Sequence, residues 1–118
     1  MEPPADLIPL KDIQQAVARA FGLSVNEIMS RARQNRVACA RQIAMYLCRE
    51  LGGGGAAGAR SNPASYPRIA KAFARDHTSV IHACNVVAKR CRSEAGFARL
   101  LQRIVRDLNG VPKRPQAA

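Results

Sequence analysis

The sequence predicts an all-α fold, a compact helical domain of about five to six helices with a helix-turn-helix and a glycine-rich loop. Three observations carry this. Apolar residues recur at helical spacing in every long segment, and no alternating apolar/polar run long enough for a strand interrupts them. A short basic stretch, Tyr66 to Phe73, stands directly before a second stripe of Val80, Cys84, Val87 and Cys91. That i, i+4, i+7, i+11 spacing gives one buried helical face, and the pair has the form of a helix-turn-helix.

The elements follow in order. Residues 1–9 contain three prolines and form a loose lead-in, and Ile13, Val17, Ala20 and Phe21 mark the apolar stripe of a first helix that stops at Gly22. Ser24 to Glu27 has the S-x-x-E form of a capping box, which starts a short helix anchored by Ile28 and Met29. Asn35 is a plausible cap for a long helix with Val37, Ala40, Ala44, Leu47 and Leu51 inward and Arg41, Gln42 and Arg49 off that stripe. Residues 52–62, with four consecutive glycines, predict a flexible loop, because ordering that many glycines carries a high entropic cost. The next helix starts around Ser65, tolerates Pro67 in its first turn and turns Ile69, Ala70 and Phe73 inward. After the 76–91 segment, Ser93 and Glu94 open a last helix with Phe97, Leu100, Leu101, Ile104, Val105 and Leu108 inside and Arg99, Arg103 and Arg106 outside. Asn109-Gly110 ends it, so the domain spans 10–109 and a flexible tail covers 110–118.

Nineteen Lys and Arg against eight Asp and Glu give a net charge of +11, which favours a polyanionic partner. No apolar run reaches the ~20 residues of a membrane span, and the N-terminus lacks the layout of a signal peptide, so no membrane association and a cytoplasmic location are expected. The 118 residues leave no room for a nucleotide-hydrolysing module beside this domain. Cys39, Cys48, Cys84 and Cys91 form no C-x-x-C pair and sit at positions suited to packing, which argues against metal and disulfide. No paired carboxylates or nucleophile-base arrangement stands out, so an enzyme is not expected and no cofactor is called for.

Two stretches carry the binding chemistry. From Arg31 to Arg49 there are five arginines and no acidic residue, the strongest charge bias in the chain. At the start of the later helix, Asp76, His77, Thr78 and Ser79 concentrate groups able to meet base edges. An Asp accepts from cytosine N4, a His contacts an acceptor or a methyl, and a Thr methyl suits the thymine methyl. Thr78, His82, Asn85 and Lys89 share the face opposite the apolar stripe. Asp76 is also among the best helix N-caps, and His82 is explained equally well by packing or a phosphate contact.

With these residues in view, the chain resembles the C-terminal DNA-binding domain of the bacterial replication initiator DnaA from about Leu10 to about Leu108. The segment Asp76-His77-Thr78-Ser79-Val80-Ile81-His82-Ala83-Cys84 is close to the family's D-H-T-T-V-x-H-A-C, and Ala40-Arg41-Gln42-Ile43-Ala44-Met45-Tyr46-Leu47 is close to its P-R-Q-x-A-M-x-L. The resemblance implies a nucleoid-associated module that binds double-stranded DNA at an asymmetric DnaA box; no nucleotide is expected as a partner, and the sequence leaves the oligomeric state open with a monomer favoured. Asp76, His77, Thr78 and Ser79 would reach the major groove and Arg33 the adjacent minor groove. Arg31, Arg41, Gln42, Arg49, Pro67 and Lys89 would lie at or near the phosphate backbone. Regulation of replication initiation or transcription by site occupancy is then the expected function. The alternative is a nonspecific nucleic-acid-binding or protein-interaction adaptor on the same fold.

The departures from the family are local. The usual Gly-Gly-Arg-Asp before the recognition helix is shortened to Ala74-Arg75-Asp76, Asn85 replaces a customary arginine, and the glycine-rich loop is longer.

Overall fold

The computed structural model describes residues 8–30, 34–52 and 64–110. Six helices run in order: α1 (Leu10–Phe21), α2 (Val25–Met29), α3 (Asn35–Leu51), α4 (Tyr66–Phe73), α5 (His77–Ser93) and α6 (Ala95–Gly110). Among the described residues there is no strand, and the one β-type contact is an isolated parallel bridge between Ile8 and Gly52. The all-α expectation holds. Arg31, Arg33, most of the glycine-rich stretch and the end of the chain lie outside the described residues.

The helix ends show why these segments fold locally. Gly22 takes the left-handed conformation (φ 68°) after α1, where the Leu23 N–H reaches the Ala18 carbonyl at 2.8 Å and the Gly22 N–H reaches Arg19 at 3.2 Å. This paired closure satisfies carbonyls that a helix end otherwise leaves open. The capping box predicted at Ser24 forms fully: Ser24 Oγ accepts from Glu27 N–H at 3.1 Å, and Glu27 Oε1 accepts from Ser24 N–H at 2.8 Å. Ser65 caps α4 and Pro67 sits in its first turn, where its missing N–H costs nothing. One cap differs from expectation. Asn35 is the first helical residue of α3, and Gln34 precedes it without a side-chain cap.

Helix α3 is the centre of the fold. It packs most extensively against α5 and also meets α1, α2 and α4. Surrounded in this way, it buries Ile43, Met45 and Cys48 besides the predicted Val37, Ala40, Ala44 and Leu47, a wider face than one stripe. Phe73 from α4, Val80 and Val87 from α5, and Val17 and Ile13 from α1 complete a continuous core. Truncating a fully buried aromatic such as Phe73 to alanine removes about 3–5 kcal/mol in comparable cores.

In α1 the apolar stripe is shifted. Ala16 and Ala18 are buried while Ala20 is exposed. Gln14 is the one buried polar side chain among the described residues, and its amide donates to the Ala72 carbonyl at 3.4 Å, tying α1 to α4.

Two contacts close the frame on the side of α3 where the chain leaves it. The Ile8 N–H donates to Leu51 O at 3.0 Å and the Ala64 N–H to Gly52 O at 3.0 Å. Gly52 is required there by space, since a Cβ would lie 2.6 Å from the Cys48 carbonyl oxygen and 2.5 Å from Leu10 Cδ2. Helix α6 packs on α1 and α5. Arg90 stitches that joint with an ion pair to Glu94 (3.1 Å) and a guanidinium 4.0 Å from the centre of the Phe97 ring.

Candidate nucleic-acid interface

Helices α4 and α5 form the predicted helix-turn-helix, and the shortened turn has a definite geometry. Ala74 closes α4 in the left-handed region (φ 55°), with its N–H on Lys71 O at 3.2 Å and the Arg75 N–H on Ala70 O at 2.9 Å. This is the closure seen at Gly22, made here by an alanine. Arg75 alone then separates it from Asp76, which caps α5. Asp76 Oδ1 accepts from the Ser79 N–H at 3.1 Å and from Ser79 Oγ at 2.8 Å. The Ser79 hydroxyl, followed by the Ser79 backbone N–H, holds the Asp76 carboxyl below the usual carboxylate range.

Capping and reading therefore use different atoms. Oδ1 is committed to Ser79, while Oδ2 has no partner among the described residues and remains an acceptor facing solvent. Asp76, His77, Thr78 and Ser79 are all exposed at the tip of α5. Ser79 has its proton engaged by Asp76, which leaves its oxygen as an acceptor. Thr78, His82, Asn85 and Lys89 continue along one exposed face, as their spacing predicts.

A cleft of about 410 Å³ opens between α3 and the start of α5, where Arg41 and Gln42 from α3 meet Arg75, Asp76, Thr78 and Ser79. The two sequence stretches singled out for binding thus come together here. Arg41 also braces the fold from within, since its Nε donates to Ile28 O at 2.8 Å and its Nη2 to Ser30 O at 2.8 Å. Arg75 Nη2 donates to the same Ser30 oxygen at 2.7 Å. Burial, and then the nearby charge of Arg75, lower the Arg41 pKa.

Other predicted residues fall elsewhere. Arg49 does not line the cleft; its Nη1 donates to Ala64 O at 2.9 Å and its guanidinium lies 4.4 Å from the centre of the Tyr66 ring. It anchors the start of α4 to the end of α3. Pro67 is exposed in the first turn of α4, and Lys89 is exposed far along α5. Arg31 and Arg33 lie outside the described residues, and with them the minor-groove expectation.

Sequence reasoning missed the role of Arg75, because its partner Ser30 is 45 positions away and no local pattern marks the pair. It also missed Arg36, whose guanidinium donates to the Phe21 carbonyl and links α3 to the end of α1. Among the described residues no group of three or more His, Cys, Asp or Glu is arranged to hold a metal, and no helix is long and apolar enough to cross a membrane.

A short helix, a tight turn and a second helix with an exposed polar tip beside clustered arginines define a helix-turn-helix DNA-binding module. Comparison with known proteins makes this specific. A family model described as bacterial dnaA protein helix-turn-helix matches residues 10–87, and the chain belongs to that family, whose domain binds DNA and is not catalytic. The chain is 37% identical over 99 residues to the chromosomal replication initiator protein DnaA of Symbiobacterium thermophilum, covering 83% of this chain and 19% of that protein. It is 32% identical over 103 residues to the DnaA of Caldanaerobacter subterraneus subsp. tengcongensis (87% of this chain, 21% of that protein). With the DnaA of Streptococcus mutans serotype c the identity is 39% over 82 residues (69% and 16%). The chain spans about a fifth of the length of the first two relatives.

Proposed function

We propose that this chain binds double-stranded DNA in a sequence-specific manner at DnaA-box-like sites and regulates replication initiation or transcription by occupying them. The observation that carries this reading is the exposed α5 tip, Asp76 to Ser79, standing beside Arg41 and Gln42 across one cleft. In this reading α5 enters the major groove, where the free Asp76 oxygen, the His77 ring and the Thr78 methyl meet base edges. Arg33 reaches the neighbouring minor groove, whose negative potential attracts a guanidinium.

Arg41 and Arg75 bring two like charges to one carbonyl, and a phosphate beside them relieves that repulsion while fixing register. Gln42 joins them from the same cleft, and Arg31 and Lys89 extend the contact along the backbone. Arg49 and Pro67 support it by holding α4 in place.

Mobility shifts at ~150 mM salt, where screening exposes specificity, test the proposal with a DnaA-box duplex and a scrambled duplex. The box duplex is expected to bind at least about tenfold more tightly. Equal binding overturns specific reading and leaves a nonspecific nucleic-acid adaptor.

A further inference from the structure

The outer face of α6 is the basic feature that the helix-turn-helix leaves unused. Arg99, Arg103 and Arg106 are exposed, at i, i+4 and i+7. At about 100° per residue they fall within a sector of about 60°, opposite the face that carries Phe97, Leu101 and Ile104 into the core. None of the three arginines has a hydrogen bond or an ion pair within the described residues. Asp107, the acid nearest along the helix, is exposed beside Arg103 without pairing to it. Structural need does not account for this stripe, because α6 meets α1 and α5 with its other side.

Its position separates it from the reading tip. Arg106 stands beside Glu50 and Leu51 at the C-terminal end of α3. Arg41 and Gln42 meet Ser79 eight to ten residues earlier on α3, about 12–15 Å away along the axis. The stripe also points away from α5, the helix that bears the tip. It spans about 10 Å, a length over which one DNA strand carries about three phosphates.

We propose that Arg99, Arg103 and Arg106 form a second phosphate-backbone contact for duplex DNA, so that one molecule seated at a specific site holds a second duplex segment. This rests on the helix-turn-helix reading for the first segment only. The second contact reads no sequence, because arginines on phosphates carry charge and no base information. With three phosphates neutralised, its affinity falls with a log-log salt slope of about −2.7, roughly fortyfold between 50 and 200 mM salt.

The test uses the full chain on an immobilised box duplex, followed by a labelled scrambled duplex at ~50 mM salt. The chain is expected to retain the second duplex. The triple variant Arg99→Gln, Arg103→Gln, Arg106→Gln is expected to retain at least about fivefold less while its affinity for the box duplex changes less than about twofold. Equal retention by the variant overturns the proposal. A variant that loses box-duplex affinity and salt slope instead places the stripe on the same duplex, which also overturns it. So does binding to vesicles of anionic lipid without capture of a second duplex. Equal affinity for box and scrambled duplexes in the mobility shifts at ~150 mM salt is a separate result and counts against the specific reading alone.

Discussion

Arg41 of α3 and Arg75 of the α4–α5 turn converge on the Ser30 carbonyl oxygen, at 2.8 and 2.7 Å. Ser30 ends α2, so one acceptor joins three parts of the fold at the edge of the cleft beside the recognition helix. Two guanidiniums repel, and the shared oxygen with the Ile28 carbonyl holds them there. Arg75 is thereby a positioning residue for Asp76, its immediate neighbour in the chain.

Arg75→Lys keeps the charge but loses the planar fork, so the salt slope is expected to stay unchanged while the box-to-scrambled affinity ratio falls roughly fivefold. The stability loss is about 1 kcal/mol, modest because the bond is only partly buried. Mobility shifts over a salt series check it. An unchanged ratio overturns the positioning role of Arg75.

Ala74 carries a conformational cost that glycine avoids. Its φ of 55° crowds Cβ against the backbone, so Ala74→Gly is expected to raise stability by about 1 kcal/mol, readable as a higher midpoint in urea. The bound DNA sequence should not change, since the side chain is exposed and the backbone is already in this conformation.

Asp76 can be split into its two functions. Asp76→Asn retains a capping oxygen and is expected to keep thermal stability near wild type, while removing the carboxylate weakens binding to the box duplex roughly tenfold. Asp76→Ala is expected to lose both. The acid dependence has a fixed sign. The folded carboxyl titrates below its ordinary value, so its stabilisation is complete above that value and is lost as pH falls through the lower, folded one. Circular dichroism during acid titration below about pH 4 should show a larger loss in wild type than in Asp76→Asn, because Glu94, held below its ordinary value by Arg90, contributes the same loss in both.

The thiols should divide into two classes. Burial pushes Cys48 up to about 12 and Cys84 up to about 11, so neither forms appreciable thiolate at about pH 8. Cys39 and Cys91 are only partly buried. Alkylation of the native chain at about pH 8 is expected to modify no more than those two rapidly, and all four in denaturant. Rapid native labelling of Cys48 contradicts the packing described for α3.

Much of this architecture is legible in the sequence because it is local. The stripe from Val80 to Cys91, the capping box at Ser24, Ser65 and Pro67 opening α4, and the exposed face of Thr78, His82, Asn85 and Lys89 follow from helical periodicity and from residues that bond to their own helix ends. The motif at Asp76 to Cys84 also marks the family. Tertiary structure decided what the arginines do. Arg41, Arg49 and Arg75 look alike as basic residues, yet each is fixed by a carbonyl 11 to 45 positions away, and only the packing of α2, the start of α4 and the α4–α5 turn around α3 brings donors and oxygens within reach. The same holds for the exposed Ala20, the buried Gln14 and the space that demands Gly52. A helical period states which residues share a face, whereas the neighbours that cover that face are set by the fold as a whole.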